Sequence, residues 1–598
     1  MLGRKIARSL AHSLFALAAA QAALTGCNAK DAARNADRQA SAPPAEEATA
    51  SGEGDRGGVA AGTAVGGSTA GPAAGDGLVK DAEKADGKKE AAAPVAPKTA
   101  TASGVGQGGA IAASPGVPRG RIQAAAPADP QSGEAYNDHG VNAWTDTASD
   151  KLSTFAADVD TASFTIARRK LNDGALPHPH SVRVEEFVNY FSYGYAPPDA
   201  AAAKHRPFAV HMDAAPSPFN KGRHLVRVGV TTKAKSVGER KPANLVFLVD
   251  VSGSMQSPDK LDLARRSLRV LVDNLKDGDT VSLVTYAGAT RVVLEPTGLD
   301  DKHRILAAIE DLTAGGSTAM ASGLELAYQQ AAKGLRGDAI SRVIVLSDGD
   351  ANVGRTSHEE ILKTIEGHVK EGVTLSTVGF GTGNYKDALM EQLADKGNGN
   401  AFYIDGISAA HRVFQQQLGS TLEVVAKDVK LQVEWSDKLV KRYRLVGYEN
   451  RDVADTDFRN DAVDAGEIGA GHQVTAIYEI ELASGALTAD LSPSDLATVR
   501  VRHKAPKGTD AAEAAFDFPA DGLAASFAAA SADLRFAFAV AAFAEILRGS
   551  EDAEHWDLAA VRQIASDAAG ADPDRAELVA MIDQAIALKG GPKTAMAR

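Results

Sequence analysis

The chain has 598 residues and a formal net charge of −13, long enough for several domains with at least one sizeable core. That acidic balance excludes a general affinity for nucleic acid, which needs a basic face to displace counterions. A single cysteine, Cys27, excludes a disulfide framework, so stability has to come from packing.

In chain order, Arg4, Lys5 and Arg8 precede an apolar stretch from Leu10 to Leu24. This is the charge and length pattern of a secretory signal, too short and too rich in alanine to span a membrane. Leu24-Thr25-Gly26-Cys27 resembles the lipobox of bacterial lipoproteins, in which the cysteine is lipidated and becomes the new N-terminus. The resemblance implies a signal over 1–27, lipidation at Cys27 and a periplasm-facing, lipid-anchored protein of the bacterial cell envelope. Asn28 stands where inner-membrane retention would want an aspartate, so the outer membrane is favoured.

From 28 to 138 the chain is Ala, Gly, Pro, Ser and Thr with scattered charges. Such a composition buries too little apolar surface to offset its ordering entropy, and it predicts a disordered tether. Order is expected from about Asp150. Over 139–238, a first flanking region, periodicity predicts short helices at Phe164–Asn172 and Val182–Phe191, then strands in "PFAVHMDAA" and "HLVRVGVTT".

Over 239–422 the pattern becomes α/β. Apolar strands "NLVFLVD", "TVSLVTYA", "RVIVLSD", "VTLSTVGF" and "AFYID" alternate with helical segments such as "KLDLARRSLRVLVDNLK". This predicts a doubly wound, Rossmann-like parallel sheet covered on both faces. Over 423–598 strands return in "VKLQVEWS", "VTAIYEIEL" and "ATVRVRHK", followed by helices at Leu523–Leu547 and Leu558–Leu588. Strands on both sides of the α/β unit suggest one β-sandwich in which that unit is inserted.

The chemistry gathers in the α/β unit. Asp250 ends its first strand, Ser252 and Ser254 follow in the next loop, and Asp348 ends "RVIVLSD". Thr318 lies in "AGGSTAM", a glycine-loosened loop before a helix. Ligands of doubly wound sheets collect at the carboxyl ends of strands, beside the point where strand order reverses. Two carboxylates and three hydroxyls would meet there, all hard oxygen donors. That set suits Mg²⁺, with Mn²⁺ as a substitute, and argues against zinc or copper. Taken singly, each of these residues is an ordinary cap at a strand-to-helix turn.

Asp250-x-Ser252-x-Ser254, Thr318 and Asp348 resemble the metal-ion-dependent adhesion site of von Willebrand factor type A (VWA) domains. "STFAADVDTASFTIARRKLN", "PANLVFLVDVSGSM", "SDGDANVG" and "YRLVGYENRDVADTDFRNDAVDAGEIGAGHQVTAIYEI" are similar to the YfbK type of bacterial VWA lipoprotein, in which a characteristic domain flanks the VWA domain on each side. The resemblance covers roughly Leu152 to the C-terminus. It implies that the serines and threonine bind the metal directly, that the aspartates act directly or through water, and that one coordination position awaits an Asp or Glu of a partner protein.

Two other motifs invite chemistry. "DVDTA", Asp158–Ala162, has the paired aspartates of haloacid-dehalogenase phosphotransferases without their surrounding fold, and helix capping by Asp160 or Thr161 is the plainer reading. "DTDFRNDAVDAGE" is acidic enough for calcium, but Arg459 and Asn460 stand where an EF-hand needs oxygen and glycine, so a solvated loop is expected. No Walker loop, His-Glu-x-x-His motif or nucleophile elbow is present. His303, His358 and His368 lie in helical patterns rather than beside Ser252 or Ser254, which lowers an enzymatic reading. The expectation is a non-enzymatic, Mg²⁺-dependent protein-binding module anchored in the envelope, its partner an unidentified envelope protein. A structural or assembly factor whose metal is a folding staple is the alternative, and a metal-assisted enzyme is a third reading.

Overall fold

The computed structural model describes residues 133–199, 206–236, 238–349, 358–486 and 495–590. The expected signal with Cys27, and the expected tether up to residue 132, lie outside them. The strands are β1 (Thr145–Asp146), β2 (Leu152–Ala156), β3 (Phe208–Pro216), β4 (Arg223–Thr232), β5 (Ala243–Asp250), β6 (Thr280–Tyr286), β7 (Thr290–Gly298) and β8 (Ile340–Ser347). They continue with β9 (Val373–Phe380), β10 (Ala401–Ile404), β11 (Val424–Trp435), β12 (Val440–Val446), β13 (Gly466–Gly469), β14 (Gln473–Leu482), β15 (Asp495–Lys504) and β16 (Ala511–Pro519).

The α/β unit is built on a six-stranded sheet of order β10-β9-β8-β5-β6-β7. All eight residues of β5 are buried, because helices cover both faces. Leu245, Phe247 and Val249 point into one core with Leu268, Leu271, Ile305 and Phe414. Val246 and Leu248 alternate into the other, with Leu324, Tyr328, Ile365 and Leu393, as the two-residue period of a strand requires. The expected five strands pair in parallel. The sixth, β7, corrects the all-parallel expectation: it runs antiparallel beside β6 at the sheet edge. Its mixed burial gives it no apolar run to find. β6 and β7 follow β5 on one side of it, and β8, β9 and β10 then continue on the other, so strand order reverses between β5 and β8.

The strands outside this unit form two antiparallel sheets, one of order β1-β12-β14-β4-β3 and one of order β13-β11-β15-β16, with β2 pairing β11. β4, which precedes the α/β unit, pairs with β14, which follows it, over nine registered residue pairs. The flanks therefore share a sheet, as an inserted α/β unit requires. The two sheets pack through Val226, Val228, Tyr478, Leu431, Trp435 and Val499. On its other face the β4-bearing sheet, through Leu225 and Ile477, meets helices from both ends of the chain, including Phe164 and Phe187 from one end and Phe536, Phe543 and Ile582 from the other.

The helices differ from expectation in their limits. Helix Ala532–Arg548 starts where the Ser531 hydroxyl accepts from Leu534 N at 3.0 Å, nine residues later than expected. The helix expected over 558–588 is two, Leu558–Ala569 and Pro573–Gly590, broken at Gly570 with φ +64°. The first flank holds Ala162–Asn172 and a shorter Val184–Asn189. No helix among the described residues is long and apolar enough to cross a membrane.

Ion pairs are among the contacts that fix the α/β unit against the flanks. The Arg451 guanidinium donates to Asp158 at 3.0 Å, Asp395 at 2.8 Å and Asp160 at 3.2 Å, joining the first flank, the α/β unit and the second flank. Arg168 grips Asp405 through two bonds of 2.7 and 2.6 Å. The capping role expected of Asp160 and Thr161 is not what is found: Thr161 makes no side-chain cap, and Asp160 accepts from Ala401 N at 3.0 Å. The "DVDTA" aspartates are a seam between domains.

The last residues of the expected tether are ordered too. Gly133 N donates to Gly383 O at 2.5 Å, Ala135 N to Tyr385 O at 3.3 Å, and the buried Glu134 carboxylate accepts from Gly383 N at 2.9 Å and pairs with Lys170. Backbone pairing and a satisfied buried charge outweigh the low hydrophobicity of this stretch.

Candidate metal centre

β5 and β8 are neighbours, so Asp250 at the end of one and Asp348 just past the end of the other share one edge of the sheet. Both are fully buried. The loop carrying the serines turns back on Asp250: Ser252 N donates to Asp250 Oδ1 at 2.9 Å. Ser252 Oγ and Ser254 Oγ lie 3.0 Å apart. Thr318 belongs to the third wall. Gly315 N donates to Val251 O at 2.7 Å and Gly253 N to Gly316 O at 3.0 Å, which lashes the threonine loop to the serine loop. Gly316 holds φ +95°, and a Cβ there would sit 3.1 Å from Gly288 N, so this approach needs a glycine. Thr318 follows two residues on, half-buried. The structure thus assembles four of the five predicted residues by direct bonds or adjacent strands and brings the fifth to the same edge on its loop.

The electrostatics of the two carboxylates differ. Burial pushes Asp250 above the usual carboxylate range, and the neighbouring Asp348 adds to the shift, against bonds from Ser252 and Ser347. Burial works the same way on Asp348, but there it is outweighed. The Lys260 ammonium, the Ser254 hydroxyl and the Asn384 amide bind the charged form and hold it below that range.

Three residues of this shell escaped the sequence reading. Ser347 Oγ donates to Asp250 Oδ2 at 3.0 Å. Lys260 Nζ donates to Asp348 Oδ2 at 3.0 Å, and Asn384 Nδ2 reaches the same oxygen at 3.1 Å. Ser347 adjoins Asp348 and was open to notice. Lys260 read as one polar position of a helical pattern, and Asn384 sits in a loop far along the chain with no local signal.

The donor set fits a small hard cation: buried carboxylates of which one already holds a cation, the Lys260 ammonium, and hydroxyls gathered between them. Two of the three histidines named from the sequence have other settings. His303 is exposed, and His368 stacks on Tyr328 and bonds Glu371. In the acidic stretch expected to be a solvated loop, Asp464 is exposed but Glu467 is not. With Asp428 these two bring carboxylate oxygens within 4.8 Å of one another.

Comparison with known proteins gives the fold its family. The von Willebrand factor type A domain profile matches residues 244–416. A profile described as von Willebrand factor matches 130–227, and one described as "Uncharacterized protein YfbK, C-terminal" matches 420–588. The uncharacterized protein YfbK of Escherichia coli (strain K12) is 41% identical over 456 residues, 73% of this chain and 78% of its own. The uncharacterized protein sll0103 of a Synechocystis species is 32% identical over 191 residues, 32% of this chain and 44% of its own. Among solved structures, the von Willebrand factor type A protein from Catenulispora acidiphila covers 67% of this chain and 89% of its own at 18% identity and a TM-score of 0.37. With the three regions matched in order and that identity across most of both chains, this protein belongs to the YfbK family, a VWA domain set between family-specific flanks.

Proposed function

We propose that this protein is a Mg²⁺-dependent protein-binding module, with Asp250, Ser252, Ser254, Thr318 and Asp348 holding the ion and an acidic side chain of the partner completing its shell. The observation that carries the reading is the juxtaposition at the β5/β8 edge. Two buried carboxylates and two hydroxyls 3.0 Å apart stand at the point where strand order reverses, with no histidine in the bonded set. Few directly bound carboxylates leave a divalent cation under-neutralised and attractive to an incoming carboxylate. A hydrolytic site would keep a water-activating base beside the ion.

The folding-staple alternative is the weaker of the two. Asp250 has Ser252 N and Ser347 as partners, and Asp348 has Lys260 and Asn384. Both carboxylates are satisfied by protein groups, so the fold does not need the ion to offset them. Lipidation at Cys27 would display the module from the envelope membrane, the outer one by the character of Asn28.

A pull-down from envelope extract tests the function. The protein is presented in Mg²⁺, in EDTA, and as Thr318→Ala in Mg²⁺. A protein retained only by the wild type in Mg²⁺ supports the reading and names the partner. Equal retention in all three lanes moves binding to the flanks and removes the metal from it.

A further inference from the structure

Lys260 is buried, its side chain only 8% exposed. Burying an ammonium is unfavourable unless it is paired, and here Nζ donates to two acceptors, Asp348 Oδ2 at 3.0 Å and Asn384 Oδ1 at 2.8 Å. Its methylenes lie flat on Gly381, where an added Cβ would fall 2.4 Å from Lys260 Cγ and Cε. The loop beneath them is held on both sides. Gly381 O accepts from the Tyr403 hydroxyl at 2.6 Å, and Gly383 is bonded by Gly133 and Glu134. Next to Lys260, Asp259 is gripped by Arg169 at 2.8 Å. The lysine is therefore a fixed part of the wall, with little freedom to swing into solvent.

We propose that Lys260 is a resident cation of the metal centre: it neutralises Asp348 when no metal is bound, and stays beside the site on Asn384 Oδ1 when one is. This rests on the metal-binding reading above. Two carboxylates alone would carry a charge of about −2, and Mg²⁺ would bring the site to zero. With the ammonium retained, the metal-free site stands near −1 and the loaded site near +1. The lysine thus weakens metal binding by repulsion, stabilises the metal-free protein, and leaves the loaded site net positive towards an acidic ligand. Asn384 makes this workable, because it offers the ammonium a second acceptor when the metal draws on Asp348.

The test is calorimetric titration of the full chain with Mn²⁺ and with Mg²⁺, for wild type, Lys260→Met and Lys260→Gln. Both variants are expected to bind either ion at least about tenfold tighter than wild type, since a like charge a few ångströms from the entering cation has gone. They should also show a larger rise of melting temperature on metal addition. A merely structural lysine would give the opposite result, because damage to the wall lowers affinity. Lys260→Gln keeps an amide donor towards Asp348 and decides the matter if Lys260→Met does not fold. Affinities within threefold of wild type, or weaker, overturn the role of Lys260 while leaving the metal centre standing. Absence of Mn²⁺ binding in wild type and variants alike overturns the metal centre itself.

Discussion

Two of the carboxylate clusters among the described residues are finished in opposite ways. At the seam, Asp158, Asp160, Glu391 and Asp395 converge on Arg451, and Arg183 bridges Glu186 to Asp387. At the β5/β8 edge, Asp250 and Asp348 meet hydroxyls, an amide and one ammonium. A guanidinium has five donors in a rigid fork and consumes carboxylate lone pairs from several directions. Hydroxyls accept as well as donate, so a site lined with them keeps oxygen lone pairs for a cation. The same residue type therefore locks domains in one place and, on the proposed reading, would hold a metal in the other, according to what surrounds it.

The sharpest break of this contrast is Arg451→Ala. Four carboxylates at the seam would lose their common partner, and removing one member of a buried ionic network destabilises by about 3–5 kcal/mol. Chemical denaturation should show that loss whether or not Mg²⁺ is present. Asp250→Ala should do the reverse. It is expected to lower Mn²⁺ affinity by about 100-fold or more, since even outer-shell changes at metal sites weaken binding 10–100-fold, with a much smaller change in metal-free stability. If Asp250→Ala instead unfolds the protein and Arg451→Ala is silent, the two assignments are reversed.

A smaller effect is a pH dependence beside the seam, at the buried Glu185, whose carboxylate accepts from Tyr448 N at 2.9 Å. Burial, with Glu449 and Asp158 nearby, pushes Glu185 up to about 8 from an ordinary value of 4.5, against a backbone bond from Tyr448. A carboxyl raised in the fold is held protonated there, so its contribution to stability is full below about pH 4.5 and is lost as pH rises through about 8. The melting temperature should therefore fall from about pH 4.5 to about pH 8 and level off above that. Glu185→Gln should flatten that slope, and an unchanged slope would assign it elsewhere. Ser347→Ala is the mildest change: it removes one hydrogen bond to Asp250, worth about 1 kcal/mol. Metal affinity should drop about tenfold, measurable by the same titration.

The gathering of residues at the β5/β8 edge was far more legible in the sequence than the seam, and the reason is distance along the chain. Asp250, Ser252 and Ser254 are neighbours after an unbroken apolar strand, and the β5–β8 pairing follows from how doubly wound sheets are connected. Arg451 reaches Asp158 across 293 positions, and nothing local marks the two as partners. The same limit made Asp160 look like a helix cap, since its partners, Ala401 N and Arg451, are 241 and 291 positions away. Lys260 was hidden differently. Its place in "SPDKLDLARRS" suits a helix entry, and only the packing against Gly381 turns its amine inward. β7 and the break at Gly570 were missed because an edge strand and a single left-handed glycine leave little trace in hydrophobic periodicity.

The most direct test of the central claim is a crystal structure grown in Mn²⁺, read by its anomalous scattering. The account predicts a peak between Asp250, Ser252, Ser254, Thr318 and Asp348, with oxygen ligands at about 2.0–2.2 Å and the Lys260 ammonium still bonded to Asn384. A bare β5/β8 edge, with the metal at Asp428, Asp464 and Glu467 or nowhere, would contradict it.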